Sequence, residues 1–373
     1  METLIQKYSS YGLLRTLKDL IDFFGLENLK NSPFFYITTE EYKKHFTEIH
    51  QQFRFQVTKY YLGLANIQNP NCPILLQILP SVQEIIDPFF KETDPQKEEE
   101  NSPIEGLIHS YPDRVLWYVT HNCAVYCRFC FRKRKVSRSE SNFFSLNYKK
   151  IIHYIKNTRN IKEVILSGGD PLSLPDQTIE KILKDLKSIN HLCSIRIHTR
   201  MITTYPYRIT KKLCRILKQF YPLTVITHFN HPIELTEIVY KKVKMLKSAG
   251  ITILNQSVLL KNINDSIQTI EELNLKLLKN GIIPYYLHHS DEVKGTSHFR
   301  TSLETGLNIM KALQGRNPGI SLPKYVVDLP KGGGKVPVQN SYLIKYQKEK
   351  KQYSFYNYEW DSNKIFYLKE IYD

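Results

Sequence analysis

The stretch His121-Asn122-Cys123-Ala124-Val125-Tyr126-Cys127-Arg128-Phe129-Cys130-Phe131-Arg132 decides how this chain is read. It sets three cysteines at C-x3-C-x2-C spacing directly after the apolar run 114–120. Three thiolates leave one iron of a cubane [4Fe–4S] cluster without a protein ligand. A closed four-ligand set suits electron transfer, whereas an open iron can bind a substrate or cofactor directly. No fourth Cys or His follows at zinc-finger spacing. The other three cysteines, Cys72, Cys193 and Cys214, are scattered and read as small core residues. Clustered thiols in a chain without an export signal favour metal binding over disulfides.

Composition narrows the field. The chain has 373 residues, 42% of them hydrophobic, which suits roughly two to three ordinary units or one large barrel-like domain with an extension. It has no apolar run of about eighteen residues, so no spanning helix is expected. The start, Met1-Glu2-Thr3-Leu4-Ile5-Gln6-Lys7, lacks signal-peptide order, and a cytoplasmic location is expected. The net charge is +16, from 52 basic and 36 acidic residues. Most lysines lie along prospective helices as solvated faces. One dense group, Arg128, Arg132, Lys133, Arg134, Lys135 and Arg138, follows the cysteines. A basic RNA-binding scaffold is the non-enzymatic alternative. The position of the group predicts instead that it faces anions inside a site, so neither nucleic acid nor membrane is expected as a partner.

Residues 1–90 read as a helical, aromatic-rich N-terminal region, in which Tyr11 to Ile21 carries apolar residues at helical spacing. Residues 91–105 are acidic and proline-bounded, and read as a linker. From 106 to 320 short β-branched or aromatic runs alternate with amphipathic ones. Strands are predicted over 114–120, 163–166, 194–198, 223–228, 251–256 and 282–287. Val239, Val243 and Leu246 share a helix face before Gly250; Ile270, Leu273 and Leu277 share another between Asp265 and Gly281. Strands each followed by a helix predict an α/β core of parallel βα units. The period alone leaves closed barrel, open crescent and flat sheet open. Residues 321–373 complete the chain with a glycine-lysine segment and a C-terminal extension.

In such folds chemistry sits at the carboxyl ends of the strands. The cysteines follow the first strand and Ser167-Gly168-Gly169-Asp170-Pro171 the second. His198-Thr199-Arg200 ends the third, His228-Phe229-Asn230-His231-Pro232 the fourth and Gln256-Ser257 the fifth; the sixth leads into His288-His289-Ser290-Asp291. Gly168 and Gly169 offer bare backbone for close approach by a ligand. In Pro330-Lys331-Gly332-Gly333-Gly334-Lys335-Val336-Pro337, three glycines give free N–H groups able to wrap a phosphate. The lysine that follows suits condensation with an aldehyde. Nucleotide P-loop spacing is missing, so ATP is not expected. Asp291 and Asp328 each follow an apolar run and would together bind a cationic group. Arg132 would hold a carboxylate at the other end.

The cysteine spacing resembles that of radical S-adenosylmethionine (SAM) enzymes, in which the open iron chelates SAM. From about residue 103 to 340 the chain resembles the lysine 2,3-aminomutase family, which also uses pyridoxal 5′-phosphate (PLP). The resemblance is carried by Tyr111-Pro112-Asp113-Arg114-Val115-Leu116, the cysteine motif, Leu166 to Asp170, Thr227 to Pro232, Asn255 to Leu260, His298-Phe299-Arg300-Thr301, and Val326-Val327-Asp328 running into Lys335. It implies a partial (βα)6 barrel, an open crescent of parallel strands. It implies that Cys123, Cys127 and Cys130 ligate the cluster, and that Ser167, Gly168, Gly169, Asp170, His228 and Gln256 line the SAM site. Lys335 is implied as the PLP lysine, with Tyr111, Arg114, Gly332, Gly333 and Gly334 holding the PLP ring and phosphate. Arg132 is implied to take the substrate α-carboxylate, and Asp291 and Asp328 the distant ε-ammonium. The implied activity is radical transfer of the α-amino group of L-lysine from carbon 2 to carbon 3, giving β-lysine, with an electron donor such as flavodoxin or ferredoxin.

Two departures stand out. Clostridial-type members have a cysteine-rich zinc-binding tail; here the last cysteine is Cys214. Zinc is therefore not expected, and a homo-oligomer of the usual kind is left open. Lys331 also stands where that group usually has another glycine. On the substrate side, Cys130-Phe131-Arg132, Arg196 to Arg200 and Pro284 to His288 resemble a sister group that isomerises lysine for elongation factor P. Asp328 and the triple glycine resemble the free-lysine enzymes. Another amino acid such as arginine is a further alternative. Glutamate is disfavoured by acidic residues at 291 and 328.

Overall fold

The β-branched runs form the strands expected of them, and more join. The computed structural model describes residues 12–136, 147–339, 341–357 and 359–369; Met1 to Lys7, Tyr11 and Arg138 lie outside them. The barrel strands are β1 (Leu107–Tyr111), β2 (Arg114–Thr120), β3 (Glu163–Gly168), β4 (Ser194–His198), β5 (Thr224–Thr227), β6 (Thr252–Leu259), β7 (Ile283–His289), β8 (Lys324–Leu329) and β9 (Gly334–Pro337). They lie in sequential order in one sheet. β2 to β8 are parallel, so the six expected strands gain a seventh. β1 and β9 are antiparallel edges. These edges meet where the Lys335 backbone N–H donates to the Tyr111 hydroxyl at 2.8 Å. The sheet is thus a nearly closed partial barrel.

Six helices cross between successive parallel strands: α1 (Tyr148–Asn157), α2 (Asp176–Lys187), α3 (Lys211–Lys218), α4 (Glu237–Ser248), α5 (Ile267–Lys279) and α6 (Leu303–Leu313). Side chains alternate between sheet faces with period two. One set, including Val164, Leu166, Ile195, Ile197, Val225 and Ile253, packs with Ile151, Ile179, Leu183, Leu213, Val239, Val243, Leu246, Leu273 and Leu277 of the helices. Burying each such side chain contributes about 1.5–3 kcal/mol. The alternate set lines a central cavity of ≈ 770 Å³.

The N-terminal region is mainly helical, with one correction. Leu13–Leu14 pairs antiparallel with Val57–Thr58, and the helix starts only at Leu17, where Thr16 and Asp19 form a capping box. The cap overrides the apolar spacing that extended the helix back to Tyr11. This region grips the cysteine loop. Gln56 Nε2 donates to the Cys123 carbonyl at 2.6 Å, and the Arg128 N–H donates to the Gln77 carbonyl at 2.9 Å. Cys72 and Cys214 are buried as expected, whereas Cys193 is exposed in the turn before β4. A three-stranded antiparallel sheet, Leu343–Gln347, Gln352–Tyr356 and Ile365–Lys369, follows the barrel. Among the described residues no helix is long and apolar enough to cross a membrane.

At the end of β3 the two glycines serve packing first. A Cβ on Gly169 would stand 2.4 Å from the Asn122 carbonyl oxygen; one on Gly168, whose φ is +113°, would stand 2.5 Å from that of Thr120. A side chain at either would push β3 away from the loop that carries the cysteines. Gly169→Ala is therefore expected to cost about 1–3 kcal/mol in urea unfolding. An unchanged midpoint would show that the loop yields.

Candidate active site

The cavity gathers the polar residues singled out from the sequence. Cys123, Cys127 and Cys130 line it, with Ser167, Gly168, Gly169, Asp170, His228 and Gln256. Burial pushes the Cys123 thiol well up, and Asp170 and the other two cysteines add to the effect. Burial, then Cys127, pushes Cys130 up to about 11. The protein alone thus keeps the Cys123 and Cys130 sulfurs protonated, and a cationic centre would be needed to hold them as thiolates. Among the described residues no three His, Cys, Asp or Glu side chains converge on a single-ion site. The thiols instead share a wall of a cavity with room beside them, which fits a cluster with one open corner.

Asp170 is committed to the protein. Oδ1 accepts from the Leu172 N–H and the Thr199 hydroxyl, and Oδ2 from the Arg200 N–H. It fixes the turns after β3 and β4, and its own N–H donates to the Asn122 carbonyl at 2.7 Å. His228 is held by Asn230, its Nε2 lying 3.1 Å from Oδ1, and its ring centroid lies 5.7 Å from that of Phe129. Gln256 stands on β6 between Leu254 and Val258, which also face the cavity.

The β8–β9 hairpin builds the other side. Its register sets Lys335 directly opposite Asp328, and cross-strand neighbours on one face interact. Lys335 Nζ donates to Asp328 Oδ2 and lies 3.2 Å from His288 Nδ1. Burial alone would raise Asp328, but His288 and Lys335 outweigh it and hold the carboxyl at about 2. Asp291 behaves oppositely: burial, with the charge of Asp328, pushes it up to about 7, although Gln96 donates to it at 3.0 Å. Arg114 stacks 3.9 Å over the Tyr111 ring. Gly332 and Gly334 line the cavity. Gly333 is not among the lining residues; a Cβ there would meet Leu329 at 2.8 Å. Lys331 adopts φ 59°, the left-handed backbone that favours the glycine usual in the resembled family.

Arg132 is engaged on two sides. Nε and Nη2 bind Glu98 Oε1 at 3.1 and 2.9 Å, and Nη1 donates to Ser167 Oγ at 3.0 Å. This corrects the reading of the basic cluster. Arg128 and Lys133 pair with Glu84, and Arg134 pairs with Asp94 and Glu98. Most of the described cations are thus met by the protein's own carboxylates. Glu98, from the segment read as an acidic linker, is buried, because four donors converge on it: Arg132 Nε and Nη2, Arg134 Nη2 and the Tyr118 hydroxyl.

Sequence reasoning passed over Glu163 and Arg196 as lining residues, whereas His198, placed at the end of the third strand, lines the cavity. Arg196 pairs with Glu163 across β3 and β4. The alternation Ser194, Arg196, His198 against buried Ile195 and Ile197 was the available signal. His198 Nε2 and His288 Nε2 are buried without a hydrogen-bond partner. An unmet buried polar atom costs about 1–3 kcal/mol, so the cavity is built to be filled by something polar.

Comparison with known proteins agrees with this geometry. The radical SAM superfamily model matches residues 117–273, and a lysine-2,3-aminomutase model matches residues 310–360. An L-lysine 2,3-aminomutase of Methanococcus maripaludis is 43% identical over 338 residues, 90% of this chain and 76% of that protein. That of Clostridium subterminale is 39% identical, covering 84% and 75%. A glutamate 2,3-aminomutase of Clostridioides difficile is 39% identical, covering 82% and 72%. Fold and cavity define a radical SAM enzyme, a class that implies SAM and a [4Fe–4S] cluster. Within that class the chain belongs to the lysine 2,3-aminomutase family, whose members are isomerases.

The Glu98 junction is open to test. Burial raises its carboxyl, but Arg132, the Tyr118 hydroxyl and Arg134 outweigh that and hold it below the ordinary glutamate range. A depressed acid contributes stability that is present above the unfolded value and lost as pH falls through the folded one. Glu98→Gln is expected to lose about 3–5 kcal/mol at neutral pH and to show a shallower acid loss below about pH 4.3. Chemical denaturation at several pH values checks both, and a variant as stable as wild type would remove Glu98 from this role.

Proposed function

We propose that the chain is an L-lysine 2,3-aminomutase acting on free L-lysine to give β-lysine, with a [4Fe–4S] cluster, SAM and PLP. One observation carries the reading: Asp291 and Asp328 line the same cavity as Lys335, and three cysteines line it too. In this proposal Cys123, Cys127 and Cys130 hold the cluster, and Ser167, Gly168, Gly169, Asp170, His228 and Gln256 surround SAM. Lys335 is the PLP lysine, with Tyr111, Arg114 and the backbone from Gly332 to Gly334 around the ring and phosphate. When bound, these groups supply a carbon-centred radical and a conjugated ring able to delocalise an unpaired electron.

The protein's residues bind and orient. Asp328 already receives a primary ammonium, that of Lys335. The same carboxylate, with Asp291, suits the ε-ammonium of lysine once the Lys335 nitrogen is otherwise engaged. Burial, with Lys335 nearby, keeps the His288 imidazole below its ordinary value, so it faces the Lys335 nitrogen, 3.2 Å away, as a neutral hydrogen-bond partner. Arg132 would take the α-carboxylate, with Glu98 fixing its plane. Glutamate would bring a further carboxylate beside Asp328 and Asp291, which electrostatic repulsion disfavours. A flavodoxin- or ferredoxin-like donor would supply the electron.

The reading is tested anaerobically. The cluster is reconstituted, PLP, SAM, dithionite and L-lysine are added, and β-lysine is sought by chiral mass spectrometry. L-glutamate and L-arginine run in parallel. Lysine turnover is expected; its absence with cluster and PLP verified would overturn the free-lysine reading and direct attention to elongation factor P. Asp291→Ala and Asp328→Ala are each expected to lower kcat/KM for lysine about 10- to 100-fold, the worth of a charge-assisted contact, with cluster and PLP retained. Because Asp291 titrates near 7, the KM for lysine should fall as pH rises through 7, and Asp291→Asn should flatten that profile. A wild-type KM indifferent to pH between 6 and 8 would contradict this.

A further inference from the structure

Arg200 follows His198 and Thr199 at the end of β4. Arg200 is buried at 9% exposure, and its guanidinium joins three parts of the chain. Nη1 lies 2.7 Å from Cys127 Sγ. Nη2 donates to the Tyr61 hydroxyl at 2.9 Å, to Gln77 Oε1 at 2.6 Å and to Glu234 Oε1 at 2.9 Å. Its backbone N–H holds Asp170.

Glu234 is fully buried, and its Oε2 accepts the Asn230 and His231 N–H groups at 2.6 and 3.1 Å. The carboxylate therefore cannot shift without unpairing backbone donors. Pairing with Glu234 accounts for Nη2 alone. It leaves unexplained why the other arm of the fork rests on a sulfur.

We infer that Arg200 is a positioning residue which, through Cys127, raises the electron affinity of the iron–sulfur centre. The inference rests on the proposed ligation of that centre by Cys127. Hydrogen bonds to ligating sulfurs and local charge are levers on cluster potential. A fixed cation in a water-poor setting stabilises the more negative, reduced cluster over the oxidised one. Reduction takes one electron from a low-potential donor, and Arg200 neither gives nor accepts one. It changes only how readily the electron is held. Tyr61 and Gln77 belong to the N-terminal helical region, so that region, which lies outside the barrel, becomes part of the redox machinery.

The test uses the full chain, reconstituted anaerobically without SAM or amino acid. Dithionite supplies the electron, and the midpoint of the one-electron cluster couple is read by EPR alongside iron and sulfide content. Arg200→Gln combined with Glu234→Gln removes both charges and leaves no orphaned carboxylate. This variant should keep wild-type iron and sulfide, yet show at least a tenfold lower reduced-to-oxidised ratio at a fixed poise, equivalent to a shift of about 59 mV to more negative potential. Tyr61→Phe, which removes one anchor of the guanidinium, should move the midpoint the same way by less. An unchanged midpoint in the double variant overturns the inference while leaving the ligand assignment standing. If the double variant does not assemble, an unchanged midpoint in both Tyr61→Phe and Arg200→Gln overturns it equally. Failure is separable from failure of the premise: Cys127→Ser retaining wild-type iron and EPR signal would show that Cys127 is no ligand, and both would fall together.

Discussion

Everything at the candidate site depends on the two-residue alternation of a curled parallel sheet. Each strand hands one set of side chains to the helices and the other to a shared interior. In β4, Ile195 and Ile197 are buried under the helical layer, while Ser194, Arg196 and His198 reach the cavity. In β6 the inner set is Leu254, Gln256 and Val258. A one-residue slip in β4 would trade its two sets, placing Arg196 and His198 under helices and Ile195 and Ile197 in the cavity. The same apolar contacts that stabilise the barrel therefore specify which polar groups converge inside it.

A polar interior brings a second constraint, charge balance at low dielectric. Breaking a buried pair leaves an uncompensated charge and is strongly destabilising. The structure meets this by pairing. Arg128 and Lys133 share Glu84, Arg132 and Arg134 share Glu98, and Arg200 has Glu234. In each case cation and carboxylate come from different parts of the chain. Neutralisation is thereby also a clamp, tying the N-terminal region and the 91–105 segment to the cysteine loop and the barrel mouth.

That clamp marks where sequence reading stops. The strands were legible because β-branched runs with helical punctuation between them have few alternative folds; 114–120 and 194–198 match to the residue. The cysteine spacing and the Gly-Gly-Asp turn were legible because their chemistry is local. Glu98 was not, since an acidic run between prolines looks the same whether solvated or buried against arginines some 34 to 36 positions away. The role of the glycine pair was half legible: the sequence suggested access for a ligand, and the structure adds the close approach of Thr120 and Asn122. The seventh strand went unmarked because Lys324 to Leu329 leads straight into the glycine segment, with no amphipathic helical pattern directly after it.

The two acids beside Lys335 show how such a site sets protonation by position alone. Asp328 and Asp291 start from the same chemistry, yet one is held at about 2 and the other is pushed to about 7. Asp328 has Lys335 and His288 within reach; for Asp291 the Gln96 amide and the fields of Lys335 and Arg132 do not offset burial and the charge of Asp328. Asp328 already has the Lys335 cation, whereas Asp291, buried beside a charged carboxylate, ionises cheaply only when a further cation arrives. An incoming ammonium would supply that cation and draw Asp291 into its charged form. Binding of the cation and loss of the Asp291 proton are then linked, while Asp328 keeps Lys335 as its partner.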